Sequence, residues 1–465
     1  MFPVQLILFA SLSLLFLTVS YWAVKQTMLF GKWEYCIYIL LLYFPVYTVY
    51  LSVAYGVTAS VPVVKGLQSY KDLIVLFAIG AFVLYQRDFW AYPFKLNALD
   101  KAYLAFIFLA VVFLFLPLGE ASFVNKAFYL KGLLIPALVY TMGRNTRFAD
   151  GEIKWVFHII FGIVIAAFVV NLLEIALDTH FQTLTGYANF NQAINDVAPS
   201  GNFGLTWTFE TQAVTKRLGS LFSDPLELAS SVLLGFAAGL IWYLTTKRED
   251  SVPYFIVMLC ALASLFLASS RAAFGAFFIM LFFVAIIFRL YKLILFGASM
   301  GVLFVVFVIF FASEDFYFFV LDTITFENAS SMGHLIEWLV ALDSMIANPL
   351  GIGLAMSGNM GSVTDDVRVG GENQFLIYGV QMGIPGMLLY IVMLYLGIKL
   401  SIRVFRSSDN VMTARVAFTG AAVKAGLLLP LFTANAEMYA YVSWISWWMI
   451  GYALNQKPKV VDGKA

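Results

Sequence analysis

Long apolar stretches alternate with short polar connections along nearly the whole chain. Apolar runs of about 17–25 residues recur, and each is long enough to cross the ~30 Å hydrocarbon core of a membrane as a helix. Backbone in lipid must satisfy its own hydrogen bonds, and the two-residue period of barrel strands is absent, so the runs predict helices. We count about thirteen, within a range of about twelve to fourteen. The predicted spans cover residues 3–24, 35–57, 73–86, 101–118, 127–143, 154–177, 227–246, 252–269, 272–289, 293–312, 373–398, 411–432 and 437–455.

Composition agrees with a membrane protein. Of 465 residues, 62% are hydrophobic and only 12% are charged, too few charges to cover a soluble protein of this size. The net charge of +1 and the lack of a basic patch argue against nucleic acid as a partner. Cys36 and Cys260 lie inside apolar runs, so neither a disulfide framework nor a zinc site is expected. We therefore predict an all-α polytopic membrane protein, with residues 1–465 as one domain.

Two long polar stretches, 178–226 and 313–372, interrupt this pattern. Basic residues gather in alternate connections, which the positive-inside rule assigns to the cytoplasm. Those residues are Arg144, Arg147, Lys247, Arg248, Arg289, Lys292, Lys399, Arg403, Arg406, Lys457, Lys459 and Lys464. Both long stretches are then outward loops, and counting backwards also places the N-terminus outside.

The second loop is predicted to carry an amphipathic helix at residues 333–347. Its apolar residues recur at helical spacing, and Asn348-Pro349 ends the helix because the residue before proline disfavours helical backbone. The apolar residues of this pattern are Leu335, Trp338, Leu339, Leu342 and Ile346. The segment also contains His334, Glu337 and Asp343, so a helix lying in the outer membrane interface fits better than a crossing.

Two arginines are candidates for binding an anion. Arg217 precedes a helix start marked by Ser223, Asp224 and Pro225, and an interfacial arginine beside a helix cap is the alternative reading. Arg271 is the only charge in a tight outward turn between two apolar spans, against the positive-inside bias. It needs an anionic partner or a polar cavity, unless its head simply reaches the interface.

Acidic and imidazole groups lie near the end of the second loop. Glu372 and Asn373 begin a span, where the helix dipole alone would favour a carboxylate, but Arg368 and two glycines are close in sequence. His334 is the only histidine of this loop, and it is either an interfacial polar residue or a general base. We predict Glu372 and His334 as catalytic. The predicted substrate contacts are Arg217, Arg271, Asn373, Glu337, Arg368 and Lys131.

Charges within the apolar spans, Lys131, Glu174, Lys424 and Glu437, are costly in lipid and are expected to face a wet interior. No metal-binding spacing and no phosphate-binding glycine loop is present, so no metal or other cofactor is expected. Outward arginines with a carboxylate and a histidine predict a site for an amphipathic substrate carrying a diphosphate. Arginine pairs with phosphate oxygens, and a base could deprotonate a sugar hydroxyl.

These residues resemble the O-antigen ligase and O-antigen polymerase superfamily of bacterial membrane glycosyltransferases, over roughly residues 210–400. The resemblance is carried, in order, by Arg217-Leu-Gly-Ser-Leu-Phe-Ser-Asp-Pro, Ser-Ser-Arg271-Ala-Ala-Phe-Gly, Trp338, Asn348-Pro-Leu-Gly-Ile-Gly353, Glu372-Asn-Gln-Phe-Leu and Gly383-Ile-Pro-Gly386. It implies about twelve helices, a large late periplasmic loop, and transfer of glycan from undecaprenyl diphosphate without metal or nucleotide.

The resemblance also implies roles for single residues. Arg217 and Arg271 match the arginines expected to bind the lipid diphosphate. Glu372 stands where ligases usually present a histidine, which favours a polymerase of lipid-linked repeat units in the bacterial inner membrane. His334 stands where the family often has an arginine. The expected partners are the lipid-linked oligosaccharide, membrane lipid and a chain-length regulator protein. Ligase-type transfer to a lipid or protein acceptor, a peptidoglycan-type glycosyltransferase, and a transporter or flippase of lipid-linked sugars remain as alternatives.

Overall fold

The computed structural model describes residues 2–86, 95–211, 214–314, 317–318, 320–321, 325, 329–358 and 369–455. In this part of the chain the regular structure is helical, with isolated bridges only between extended residues. The helices are α1 (Phe2–Phe30), α2 (Cys36–Tyr43), α3 (Tyr47–Thr58), α4 (Val61–Tyr85), α5 (Ala98–Phe115), α6 (Phe123–Asn145), α7 (Asp150–Ala176), α8 (Phe181–Thr185), α9 (Tyr187–Asn195), α10 (Pro225–Thr245), α11 (Val252–Ala268), α12 (Arg271–Ile287), α13 (Tyr291–Phe310), α14 (Ala329–Ala347), α15 (Gln374–Ser407), α16 (Val411–Gly426), α17 (Pro430–Thr433) and α18 (Ala440–Asn455).

Among the described residues, six helices are long and apolar enough to cross a membrane: α1, α4, α5, α7, α10 and α15. A seventh is reached if the bent pair of α2 and α3 counts as one span. The all-helical membrane fold is therefore confirmed. The larger count of about twelve to fourteen crossings stays a prediction, as does the outward placement of the two long loops.

Several predicted spans differ in detail from the helices observed, among them two near the N-terminus. The predicted span 35–57 bends by 71° between α2 and α3. The predicted span 73–86 instead begins at Val61, because the polar residues before position 73 continue the helix and find protein partners. Lys71 donates to the Tyr47 hydroxyl at 3.1 Å, and Asp72 pairs with Lys131 at 2.7 Å.

The core is built around α18, which packs against α6, α15 and α16. Trp447 and Trp448 are almost fully buried there. Gly143 of α6 and Gly451 of α18 let the two helices approach closely, since a Cβ on either would collide with backbone of the other helix. Small residues at a helix contact are how membrane helices gain packing where the lipid offers no hydrophobic driving force.

Helix α15 is broken at Gly383, whose φ of 71° interrupts the helical backbone. The break frees the carbonyl oxygens of Val380 and Gln381. These accept hydrogen bonds from the backbone N–H of Ile352 at 2.9 Å and Gly353 at 3.1 Å. The segment after α14 thus completes the hydrogen bonding of the broken helix, as buried non-helical backbone in a membrane protein requires.

The side chain of Gln381 joins the same elements. It is fully buried, accepts from the Ala355 N–H at 2.7 Å, and donates to the Tyr129 hydroxyl at 2.7 Å and the Ser357 carbonyl at 3.0 Å. These bonds connect the first half of α15 to α6 and to the segment 349–357. The N-terminus of α15, just after Glu372, therefore has a defined position.

We expect Gly383→Ala to destabilise the protein by about 1–3 kcal/mol or more, because alanine disfavours positive φ. In addition, its Cβ would lie 2.5 Å from the Pro349 carbonyl oxygen. The unfolding midpoint in detergent measures the loss. Gly162→Ala is the control, since that helical glycine of α7 has open space around it. An unchanged midpoint in Gly383→Ala would contradict a rigid break.

Candidate active site

Arg217 is held against the end of α11. Its backbone N–H donates to the Phe209 carbonyl at 2.9 Å, and its Nε donates to the Ala268 carbonyl at 3.0 Å. Next to it, the N–H of Leu218 donates to the Leu267 carbonyl at 3.1 Å. Since α11 ends at Ala268, the guanidinium completes the hydrogen bonding of a helix C-terminus and sits at the turn into α12.

Arg271 is the first residue of α12, on the other side of that turn. Ser269 adopts a left-handed conformation and Ser270 caps the helix through its hydroxyl, so the turn is tight. Burial lowers the pKa of Arg217 while Asp224 opposes this, and the charge of Arg271 lowers that pKa further. Among the described residues neither arginine forms an ion pair with a carboxylate. Two neighbouring cations are therefore available for an anion.

The predicted start of α10 is confirmed. Asp224 caps the helix by accepting from the N–H groups of Leu226 at 2.8 Å and Glu227 at 2.9 Å, and Pro225 is the first helical residue. The cap also has an electrostatic effect, because the Asp224 charge acts on Arg217 and on Glu372. The start of α10 therefore lies close to Glu372, at the end of the second loop.

Helix α14 confirms the predicted helix near residues 333–347, and it is not among the apolar candidate spans of the described chain. It presents His334 to Glu372, with Nδ1 and Oε2 4.0 Å apart. One turn later, the Glu337 carboxylate lies directly against Gly371, where only a glycine leaves room for it. His334 and Glu337, both predicted site residues on α14, therefore lie against the residues just before α15.

Burial and nearby charges shift the pKa values of Glu372 and His334. Burial, followed by the charges of Glu337 and Asp224, raises the pKa of Glu372 to about 7. Burial lowers the pKa of His334, against the charge of Glu337, and Arg271 lowers it further. Near pH 7 the histidine is therefore mostly neutral and the carboxylate is partly ionised. Both states suit a general base, whose pKa is best placed near the working pH.

Asn435 and Tyr439, which sequence reasoning missed, complete the cluster. The N–H of Asn435 donates to the Glu372 carbonyl at 2.8 Å, and Asn435 itself has a left-handed backbone with φ of 46°. The phenol of Tyr439 lies within electrostatic range of Asp224, Glu372 and Arg217. The only sequence signal was the polar interruption between the predicted spans ending at 432 and starting at 437.

The remaining predicted contacts are placed differently. Asn373 is buried and caps α15, with its Oδ1 accepting from the N–H groups of Phe375 and Leu376. Lys131 forms an ion pair with Asp72 at 2.7 Å. Arg368 lies outside the described residues. Substrate contact by these three residues stays a prediction.

The expectation that charged residues within the spans face a wet interior is wrong for Lys424 and Glu174, whose side chains are buried. Lys424 is 1% exposed and pairs with Glu437 at 2.9 Å. Glu174 is also buried, and its carboxylate accepts from the backbone N–H of Phe181 at 2.9 Å and of Ser220 at 3.1 Å. Protein partners replace water in each case. The Glu174 contacts also tie the loop that carries Arg217 to α7.

In the described part of the chain, no group of three or more His, Cys, Asp or Glu side chains could hold a metal ion. The site consists instead of two arginines, three acidic residues and a histidine, drawn from segments far apart in sequence.

Residues 256–391 match the O-antigen ligase family, so the chain contains a domain of that family. A comparison with curated proteins finds no match. The matched range runs from α11 into α15 and includes Arg271, His334, Glu337 and Glu372, whereas Arg217 lies before it. The resemblance is thereby confirmed for this range, and the coarse class of activity is transfer of lipid-linked glycan, of the ligase or polymerase type.

We expect Gly371→Ala to lower the glycan-transfer rate by about 10–100-fold, because its Cβ would displace the carboxylate of Glu337, a predicted substrate contact, from its position against Gly371. The flexible end of a glutamate can move, so the unfolding midpoint should change little. Gly333→Ala, beside His334 but with open space around it, is the matched control. A wild-type rate in Gly371→Ala would show that the position of Glu337 does not matter.

Proposed function

We propose that this chain, with its O-antigen ligase family domain, polymerises undecaprenyl-diphosphate-linked oligosaccharide repeat units at the outer face of a bacterial inner membrane. The observation that carries the proposal is one cluster in which two arginines lie near a carboxylate and a histidine. Arg217 and Arg271 have no carboxylate partner in the described chain, and Glu372 and His334 are candidate bases whose pKa values are shifted by burial and nearby charges.

The arginines are assigned to the donor. When the acceptor sugar oxygen attacks the anomeric carbon, the bond from that carbon to the diphosphate oxygen breaks, and its electron pair leaves with undecaprenyl diphosphate. Negative charge then develops on the leaving group. Guanidinium groups held in place before the reaction stabilise that charge, which allows a reaction without metal.

Glu372 is assigned to the acceptor. A carboxylate repels a diphosphate, so it belongs on the side of the attacking hydroxyl, where it takes the proton as the new glycosidic bond forms. His334, 4.0 Å away, is the alternative base, either directly or after a small movement. Hydrogen bonds between catalytic groups are often long in a structure without substrate, and they tighten when the substrate binds.

Ligase-type transfer is the second candidate, because the matching family is described as O-antigen ligase. The two differ in the acceptor, which is another lipid-linked repeat unit for a polymerase and a different lipid or a protein for a ligase. Purified protein given only lipid-linked repeat units should make longer glycans. If glycan forms only when a different acceptor is added, the ligase is favoured. Movement of the lipid between leaflets without new bonds would favour a flippase.

A chain-length regulator protein is the expected protein partner, and it should change the length of the product and not its linkage.

We expect Glu372→Gln to lower polymer formation by about 10²–10⁴-fold, since the amide cannot accept the proton. Binding of the lipid-linked donor should persist, because Glu372 is assigned to the acceptor side. Rate and donor binding are measured on the same preparation. Polymer of normal length and amount from Glu372→Gln would move the base assignment to His334.

The pH profile tests the same group. Because Glu372 acts as its ionised form and its pKa is raised to about 7, the rate should fall as pH drops through about 7. The fall should approach about tenfold per pH unit well below that value. Glu337→Gln removes a negative charge that raises this pKa, so the fall should move to lower pH. An acidic limb that stays in place in Glu337→Gln would assign it to another group.

Arg217→Ala and Arg271→Ala should each weaken donor binding and lower the rate by about 10²–10³-fold. Arg271→Ala is expected to fold normally because its side chain is exposed, whereas Arg217→Ala also loses a helix-end hydrogen bond and needs a check of its unfolding midpoint. Exposed Arg248, in the connection after α10, is the control arginine. Full activity in both variants would exclude this site.

A further inference from the structure

A groove of about 680 Å³ runs along α15, from Phe375 near the start of that helix to Arg406 and Ser407 at its end. Its apolar wall is formed by Ile391, Leu394, Ile398 and Ile402, one stripe at helical spacing, with Leu428 beyond the end of α16 on the other side. The volume lies within the ~300–1,000 Å³ that is usual for ligand sites. At the end nearer the start of α15, the groove is closed by Phe375.

The opposite end of the groove is basic. Lys399, Arg403 and Arg406 line it, at the same helical spacing as the apolar wall. Lys399 donates to the Tyr395 hydroxyl at 3.0 Å. Arg403 and Arg406 are exposed, and neither has a hydrogen bond or ion pair from its side chain in the described chain. Three cations therefore converge on one end of an apolar slot.

We propose that this groove binds one anionic glycerophospholipid, with its phosphate between Arg403 and Arg406 and an acyl chain along the apolar wall. Charge complementarity favours a negative headgroup over a zwitterionic one. Length agrees as well. From Ile391 to Arg406, 15 residue steps rise about 22 Å as helix, close to half of a bilayer of ~40–45 Å that includes both headgroup regions.

The tail of the lipid-linked donor is a less suitable occupant. Its diphosphate is assigned to Arg217 and Arg271, so its hydrocarbon would enter the groove from the Phe375 end. The three cations at the other end would then meet uncharged hydrocarbon, and two arginines would have no partner. An anionic phospholipid satisfies both ends of the groove at once.

The test measures binding of phosphatidylglycerol and of phosphatidylcholine with the same acyl chains to the purified full chain in detergent. Native mass spectrometry or a fluorescent-lipid titration reports the affinity. Wild type should prefer phosphatidylglycerol. The double variant Arg403→Gln/Arg406→Gln should lose about 25-fold in phosphatidylglycerol affinity, about fivefold for each charge. The control Lys247→Gln/Arg248→Gln removes the same charge from exposed residues outside the groove and should keep the preference.

A second variant, Ile398→Trp, fills the apolar wall without changing charge and should reduce binding of both lipids. Equal affinity of wild type for the two lipids would overturn the proposal, and so would an equal loss in the control. A third overturning result uses undecaprenyl diphosphate as the probe. If Ile398→Trp abolishes its binding and Arg403→Gln/Arg406→Gln does not, the groove holds the donor tail. None of these readouts depends on the polymerase assignment.

Discussion

The break of α15 at Gly383 is the constraint on which the site depends. A continuous helix would satisfy its own carbonyl groups and leave the segment after α14 without partners. The break offers the carbonyls of Val380 and Gln381 to Ile352 and Gly353, which draws the end of α14 against the first half of α15. Glu372 precedes that half-helix, and His334 lies on the helix that the segment brings back. The distance between them is therefore set by backbone hydrogen bonds in the protein interior.

Burial and charge oppose each other throughout the cluster. A carboxylate out of water is costly, and nearby carboxylates add to the cost, so the pKa of Glu372 rises. The arginines do not cancel this through a direct ion pair, since neither has a carboxylate partner among the described residues. In the proposed function, the cluster thus keeps its cations for an incoming anion and keeps a base that is partly ionised at neutral pH. Clusters of this kind are typical of functional sites.

Deeper in the bundle, opposite charges pair directly. Lys424 and Glu437 lie 2.9 Å apart, and the Glu437 carboxylate also accepts from the Tyr390 hydroxyl at 2.6 Å. A buried pair with added hydrogen bonds is tolerated, whereas either partner alone would leave an uncompensated charge. Asn435 lies two residues before Glu437, and its N–H donates to the Glu372 carbonyl. The ion pair therefore supports the backbone that contacts Glu372. This gives the charges of Lys424 and Glu437, which lie in or next to apolar spans, a structural role.

Much of this protein was determined by its sequence alone. The apolar runs predicted the helices, the Asp224-Pro225 cap gave the start of α10, and the spacing around Trp338 predicted α14, because each pattern is local and repeats with the helical period. Tertiary structure decided the rest. The meeting of His334 with Glu372, the seat of Glu337 on Gly371, the contact from Asn435 and the pairing of Lys131 with Asp72 all join segments far apart in the chain. Such contacts depend on how helices pack and where loops close, and no periodicity along a single segment encodes them.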